Sequence, residues 1–290
     1  MRKLLVRVSL ILWLMALPTV QPLPAAQSTI TEGEGYSCMG VDKSKRQTER
    51  EAMEEAKRNA VERAKTYIKS QTAVKDFQLE KDLVEAYASA QVKIVEELDK
   101  KWYRDAASGD CYAVRIKAEV IPDEKTLQGI PGAAKLEDEP SAPLSVRLWT
   151  DKQEYVQGEK MKIYLKGNKP FYARVLHRGV RGELLQLFPN PFRKENYFNG
   201  GVIYEIPSGN DRYELEISPP FGEETIVLFA STTPLGDIGL AQEGPLYQVK
   251  TRSADVGIRT RGVKLAEKSD GGAAGGAEFV ERQLQVRTVK

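Results

Sequence analysis

The chain has one histidine and two cysteines in 290 residues. Zinc sites draw their ligands mainly from these two residue types and usually need four. A structural zinc is therefore not expected, and no metal ligand or cofactor is assigned; a metal bound only by carboxylates is the alternative. Acid–base chemistry built on histidine is equally thinly supplied. His177 lies in VLHRGVRG with no nucleophile or acid spaced around it, so the expected role is a surface or hydrogen-bonded histidine. An excess of one charge is also missing: 43 basic residues stand against 41 acidic ones, a net charge of +2. Such balance leaves no electrostatic footprint for nucleic acid, and no nucleic-acid partner is expected. The apolar run VSLILWLMAL covers about ten residues, half of what a helix needs to cross a bilayer. No membrane span is expected in the mature chain.

That short run is informative in itself. Arg2, Lys3 and Arg7 precede it, Pro18, Pro22 and Pro24 follow, and Ala25 and Ala26 offer small residues for cleavage. This is the order of a secretory signal over residues 1–26. It predicts an exported protein, periplasmic or extracellular, in a bacterium. No cysteine stands near the cut, which argues against a lipid anchor. In an oxidising compartment a cysteine pair is normally bonded, so Cys38 and Cys111 are expected to form a disulfide; two separate buried thiols are the alternative. Closing that loop is worth about 4 kcal/mol on the chain-entropy account.

Residues 28–122 read as an α+β domain. STITEGEGYSCMG has the character of an opening strand ending in a glycine turn, and Asp42 or Ser44 then caps a long helix. From Gln47 to Ser70 alanine recurs every four residues at Ala52, Ala56, Ala60 and Ala64. Such a stripe lets a helix sit very close to a flat partner, here its own sheet. A second helix is expected over Leu79–Ala90. Two strands follow, over residues 91–104 and 111–121, joined by the hairpin turn AASGD. The order GEGYS, AMEEAKRNAVERAKTYI, QVKIVEEL, CYAVRIKAEV resembles the N-terminal domain of the flagellar assembly protein T family and a related group of small envelope lipoproteins. The resemblance implies a small antiparallel sheet crossed by one long helix.

Residues 123–143 are rich in Pro, Gly, Ala and charge and read as a solvated linker. From Leu144 to the end, short alternating runs are cut by LFPN, NGG, PSGND and PPFG. Strands at this spacing predict a sandwich or a partly open barrel. A short helix near Leu246–Ala254, a flexible glycine-rich loop over residues 271–277 and a last strand through Leu284, Val286 and Thr288 complete the expectation. YVQGEKMKIYLKGNKPFYARVLHRGVRGELLQLFPNPF and IPSGNDRYELEISPPFGEETIVLFAST are similar to the domain of unknown function numbered 4384. Its members sit in exported bacterial proteins or beside signalling and protease-like domains. The similarity implies an accessory immunoglobulin-like module and transfers no catalytic residue.

The fold class expected is thus α+β: a small antiparallel sheet with a long helix, followed by an immunoglobulin-like β sandwich. The pairs Glu96–Glu97, Glu137–Asp138 and Glu223–Glu224 read as solvated charges, and no catalytic residue is assigned. The feature left unexplained is a basic and aromatic excess around LFPNPFRKENYF. Arg178, Arg181, Phe192, Arg193, Lys194, Tyr197 and Phe198 are the candidate partner-binding residues. The function expected is a non-enzymatic exported envelope protein that binds a protein or glycan partner. The alternatives are a carboxylate-dependent hydrolase of envelope polymer, which needs two acids converging in a cleft, and a glycan-binding protein, which needs exposed aromatics in a shallow groove.

Overall fold

The computed structural model describes residues 26–72, 77–130, 137–262 and 275–290. The segment read as a secretory signal lies outside the described residues except for Ala26, as do residues 271–274 of the glycine-rich run. Among the described residues no helix is long and apolar enough to cross a membrane. The fold is mixed α+β with a mostly antiparallel sheet.

The first half follows the expected order: β1 (Ala26–Cys38), α1 (Lys45–Thr72), α2 (Phe77–Ala88), β2 (Gln91–Asp105) and β3 (Gly109–Ile121). Ser44 starts α1 through a reciprocal cap, its hydroxyl accepting from Gln47 N while Gln47 Oε1 accepts from Ser44 N. All four stripe alanines are fully buried. They lie so close to β1 that a methyl group on Gly33 would stand 2.0 Å from the Ala56 carbonyl oxygen, and one on Gly35 2.1 Å from that of Ala52. Helix backbone meets strand backbone here, which only glycine permits.

The two periodicities agree. Four helical residues advance about 6 Å and two strand residues about 6.8 Å. A second helical row uses the same match. Beyond Thr31 the outer edge of β1 has no strand partner among the described residues. Glu55 accepts from Tyr36 N at 2.7 Å, Asn59 donates to the Glu34 carbonyl at 2.6 Å, and Arg63 donates to that of Glu32 at 3.3 Å. Side chains of α1 thus satisfy a strand edge that would otherwise invite pairing. At the far end of the ladder Cys38 faces Cys111, and the two are joined by a disulfide.

The stretch read as a solvated linker is partly structured. It carries α3 (Glu124–Gln128), capped by the Asp123 carboxylate on Thr126 N, and it buries Ile130 and Ala142. The second half adds β4 (Val146–Thr150), β5 (Glu154–Val156), β6 (Lys160–Met161), β7 (Ile163–Gly167), β8 (Phe171–Arg178) and β9 (Leu184–Phe188). Then come β10 (Tyr197–Phe198), β11 (Tyr204–Ile206), β12 (Leu215–Glu216), β13 (Glu223–Ser231), β14 (Leu240–Glu243) and β15 (Leu246–Val249). The chain closes with α4 (Ser253–Arg261) and β16 (Gly276–Val289).

Two expectations need correction. Leu246–Val249 is a strand, because Gly244 turns the chain back so that β15 pairs with β14 and β9; the helix begins only at Ser253. The last two residues of the glycine-rich run, Gly276 and Ala277, already belong to β16, where they pair with Thr31 and Ile30.

β16 is the seam of the molecule. It pairs with β13 over nine residues and with β1 over six, so strands of both halves share one sheet, in the order β14-β15-β9-β8-β13-β16-β1-β3-β2. One face carries α1 over the first half and the smaller sheets β11-β7-β4 and β12-β6 over the second. Phe171, Phe188, Phe198, Ile163 and Leu165 fill the core between the main sheet and β7. The opposite face packs Phe229 and Phe279 against Leu235, Ile238 and Val256 of the segment that includes α4.

Buried ion pairs stitch the seam. Lys169 reaches Glu278 at 3.0 Å, and Leu144 N donates to the same carboxylate. Arg261 lies between Glu119 at 2.6 Å and Glu281 at 2.9 Å, over the Phe279 ring. Burial disfavours its charge, but the two carboxylates outweigh burial and hold its pKa above the ordinary arginine value.

Candidate functional site

The loop between β9 and β10 is built around Asn190, which is fully buried. Its side-chain oxygen accepts from Phe192 N and Arg193 N, each at 3.0 Å, and its amide donates to the Leu187 carbonyl at 2.9 Å. An asparagine that bonds the backbone two and three residues on makes a rigid turn. The turn presents Phe192 outward. Its ring is 53% exposed and lies flat on Tyr213, with centroids 5.8 Å apart. The peptide bonds before Pro189, Pro207 and Pro220 are cis.

The candidate residues do not stay together. Phe192 and Lys194 are exposed on this loop; Tyr197, exposed at the start of β10, packs edge-on to Tyr172. Phe198 is 1% exposed and stacks on Phe171 in the core, so it offers nothing to a partner. Arg193 folds inward over the rings of Phe188 and Phe198 and pairs with Asp211 at 3.3 Å. Arg178 and Arg181 are exposed, but Arg178 lies at the other end of β8 from Tyr172, the strand partner of Tyr197. Six residues of strand separate them, about 20 Å. Arg174, in the same basic stretch, is buried beneath α4 and donates to the Gly236 carbonyl and the Thr260 hydroxyl. Burial lowers its pKa to about 10.

Behind Phe192, Tyr213 lines a cavity of about 320 Å³ between the main sheet and the β6–β12 pair. Inside it the sequence concealed a polar cluster. His177 Nε2 lies 2.7 Å from Glu224 Oε2, the Thr288 hydroxyl donates to Glu224 Oε1 at 3.1 Å, and Gly222 N donates to the Thr288 oxygen at 3.0 Å. Register explains the meeting: Ile226 pairs with His177, so Glu224 is its diagonal neighbour on the same face. Glu224, expected to be solvated, is 7% exposed, while Glu223 beside it points outward.

Nucleophilic catalysis of the triad type places histidine between acid and nucleophile. Here the carboxylate is central, and histidine and threonine occupy its two oxygens. Among the described residues no three His, Cys, Asp or Glu side chains are grouped to hold a metal ion.

Residues 154–234 match a family model described as "Domain of unknown function (DUF4384)". The match runs from β5 to just past β13. It contains the Asn190 turn, Tyr213, His177 and Glu224, but not Thr288 of β16 or any of the first half. No curated protein and no solved structure matches the chain.

Proposed function

We propose that the protein is a non-catalytic exported envelope protein that docks a protein partner through the loop that exposes Phe192 and Lys194. In this reading the second half is an immunoglobulin-like sandwich used as a display scaffold. The first half, which resembles the flagellar assembly protein T N-terminal domain, is the assembly element beside it. The single observation that carries the reading is the Asn190 turn. A loop tip that orders its backbone through a buried asparagine, yet leaves a phenylalanine half in water, is arranged for contact. Aromatic anchors on a rigid support with an adjacent lysine are what interface centres and rims use. The central carboxylate of the His177 cluster supports the non-catalytic part.

The test is a double variant, Phe192→Ala with Lys194→Glu, compared with wild type for co-purification from envelope fractions. Thermal stability should be unchanged while recovery of a stoichiometric partner is lost. Equal recovery of that partner by both proteins would count against this loop.

A further inference from the structure

The main sheet has a gap. β16 pairs with β1 as far as Glu281 and with β5 from Arg287, so residues 282–286 have no strand beside them on that edge among the described residues. Arg287 N donates to the Gln153 carbonyl on this side. Alternate residues of a strand turn their backbone groups the same way, so Gln283 offers its own to the gap. β4, the edge strand of the smaller sheet, lies along the opening. Its Val146 carbonyl accepts from Arg282 Nε at 3.2 Å, which puts the backbone groups of Leu148 on the same free edge. The two edges border a groove of about 470 Å³, whose apolar part is Leu148, Trp149, Ile203 and Leu284. Trp149 stacks on Tyr164 with centroids 5.5 Å apart, and Ile203 is 60% exposed. Charge in the groove is unbalanced. Arg147 is engaged by Asp138 at 3.0 Å, but Arg282 gives its Nε to a carbonyl and has no ion pair among the described residues. Glu137 also lines the groove and is felt by Arg282 without pairing with it. Burial disfavours the guanidinium charge and draws its pKa below the ordinary arginine value. A part-buried guanidinium with free terminal nitrogens beside an apolar wall is suited to a carboxylate.

We propose that this groove binds the C-terminal end of an extended peptide. The terminal carboxylate lies on the Arg282 guanidinium, an apolar last side chain lies among Leu148, Ile203 and Leu284, and the peptide backbone follows a free strand edge. The guanidinium fork matches a carboxylate through two parallel N–H donors. The free edges decide for a peptide over a fatty acid. An alkyl chain leaves the backbone groups of Leu148 and Gln283 without a strand, whereas an extended chain pairs with them. The groove volume lies within the range of ligand sites. The inference stands apart from the docking loop, because it needs neither Phe192 nor Lys194.

Calorimetric titration of the whole protein at neutral pH with acetyl-Ser-Thr-Ser-Val-Leu, the same peptide ending in an amide, and octanoate tests it. The free acid should bind at least about 10-fold more tightly than the amide or octanoate. Arg282→Gln should bring the acid down to the level of the amide. Ile203→Glu, at an exposed position where the melting temperature should not change, should weaken the acid about 10-fold by setting a like charge in the groove. Equal binding of acid and amide would overturn the proposal, as would octanoate binding as tightly as the acid. So would no binding of the acid at millimolar concentration, or acid binding that both variants leave unchanged. None of these results bears on partner recovery by the Phe192 and Lys194 variant.

Discussion

The two halves cover the same face of one sheet by opposite means. Over β1 and β3 the cover is a helix whose contact residues are alanines, set against glycines, with backbone touching backbone. Over β8 and β13 the cover is a pair of small sheets, and the space between is filled by phenylalanine, isoleucine and leucine. A small-residue interface has no room for added atoms. A large-residue interface has no tolerance for lost ones. The first half is therefore a clamp, tied by a disulfide and edge-capping side chains, with an open concavity of about 1040 Å³ lined by Glu34, Asn59, Arg63 and Arg115. The second keeps a smaller cavity of about 320 Å³ and an exposed loop.

Adding atoms to the clamp should have the largest effect. Gly33→Leu should cost more than about 4 kcal/mol in denaturant unfolding, because the new side chain collides with the helix backbone at Ala56. Removing atoms there should matter far less: Ala56→Gly should cost about 1 kcal/mol. The second half should reverse the order, with Phe198→Ala costing about 3 to 5 kcal/mol through the cavity left in its aromatic cluster. If Phe198→Ala proves mild and Ala56→Gly severe, the two interfaces have been misjudged.

The next effect is covalent. The double variant Cys38→Ser with Cys111→Ser should lower stability by about 2 to 4 kcal/mol, since the bond closes a sequence separation of 73 residues. Unfolding with and without reductant reads this directly, and equal midpoints would leave the disulfide no part in stabilising the clamp.

A smaller effect should appear in acid. The Ser108 and Ala107 N–H groups in the β2–β3 turn hold the Asp105 carboxyl below its usual 3.8. The Thr126 hydroxyl and N–H do the same for Asp123. A carboxyl depressed in the folded state adds stability that is fully present above its unfolded pKa. That stability is lost as pH falls through the folded value. The contribution should therefore fade as pH falls below the usual 3.8, and Asp105→Asn should flatten that part of the stability profile. An unchanged slope in the variant would remove the turn from the acid response.

Much of the first half could be read in the residues because its signals are local. Alanines four apart point to a close helix, Ser44 and Gln47 form a cap three residues apart, and alternation from Cys111 to Ile121 marks a strand. What could not be read was the pairing of β16 with β1, since nothing in GAEFVERQ says which edge it joins. The continuity of the sheet through both halves was hidden for that reason. The candidate site fared similarly. Phe192 and Tyr197 stand out in the sequence as aromatics near a proline turn, and both are exposed in the fold. The inward turn of Arg193 depends on Asp211, and the burial of Phe198 depends on Phe171, both contacts made in three dimensions. His177 was visible as a lone histidine at a strand end, but its partner Glu224 is 47 residues away and meets it only through the β8–β13 register.

In the proposed function the two halves do different work, and each has an exposed aromatic to report on it. Tyr36 on the clamp is 64% exposed and Phe192 on the display loop is 53% exposed, so solvent access alone does not favour the loop. A photocrosslinking residue placed at each position in turn, in otherwise wild-type protein within intact envelopes, tests the assignment most directly. The account predicts a discrete adduct of one partner from position 192 and none from position 36. An adduct from position 36 with none from position 192 would contradict it.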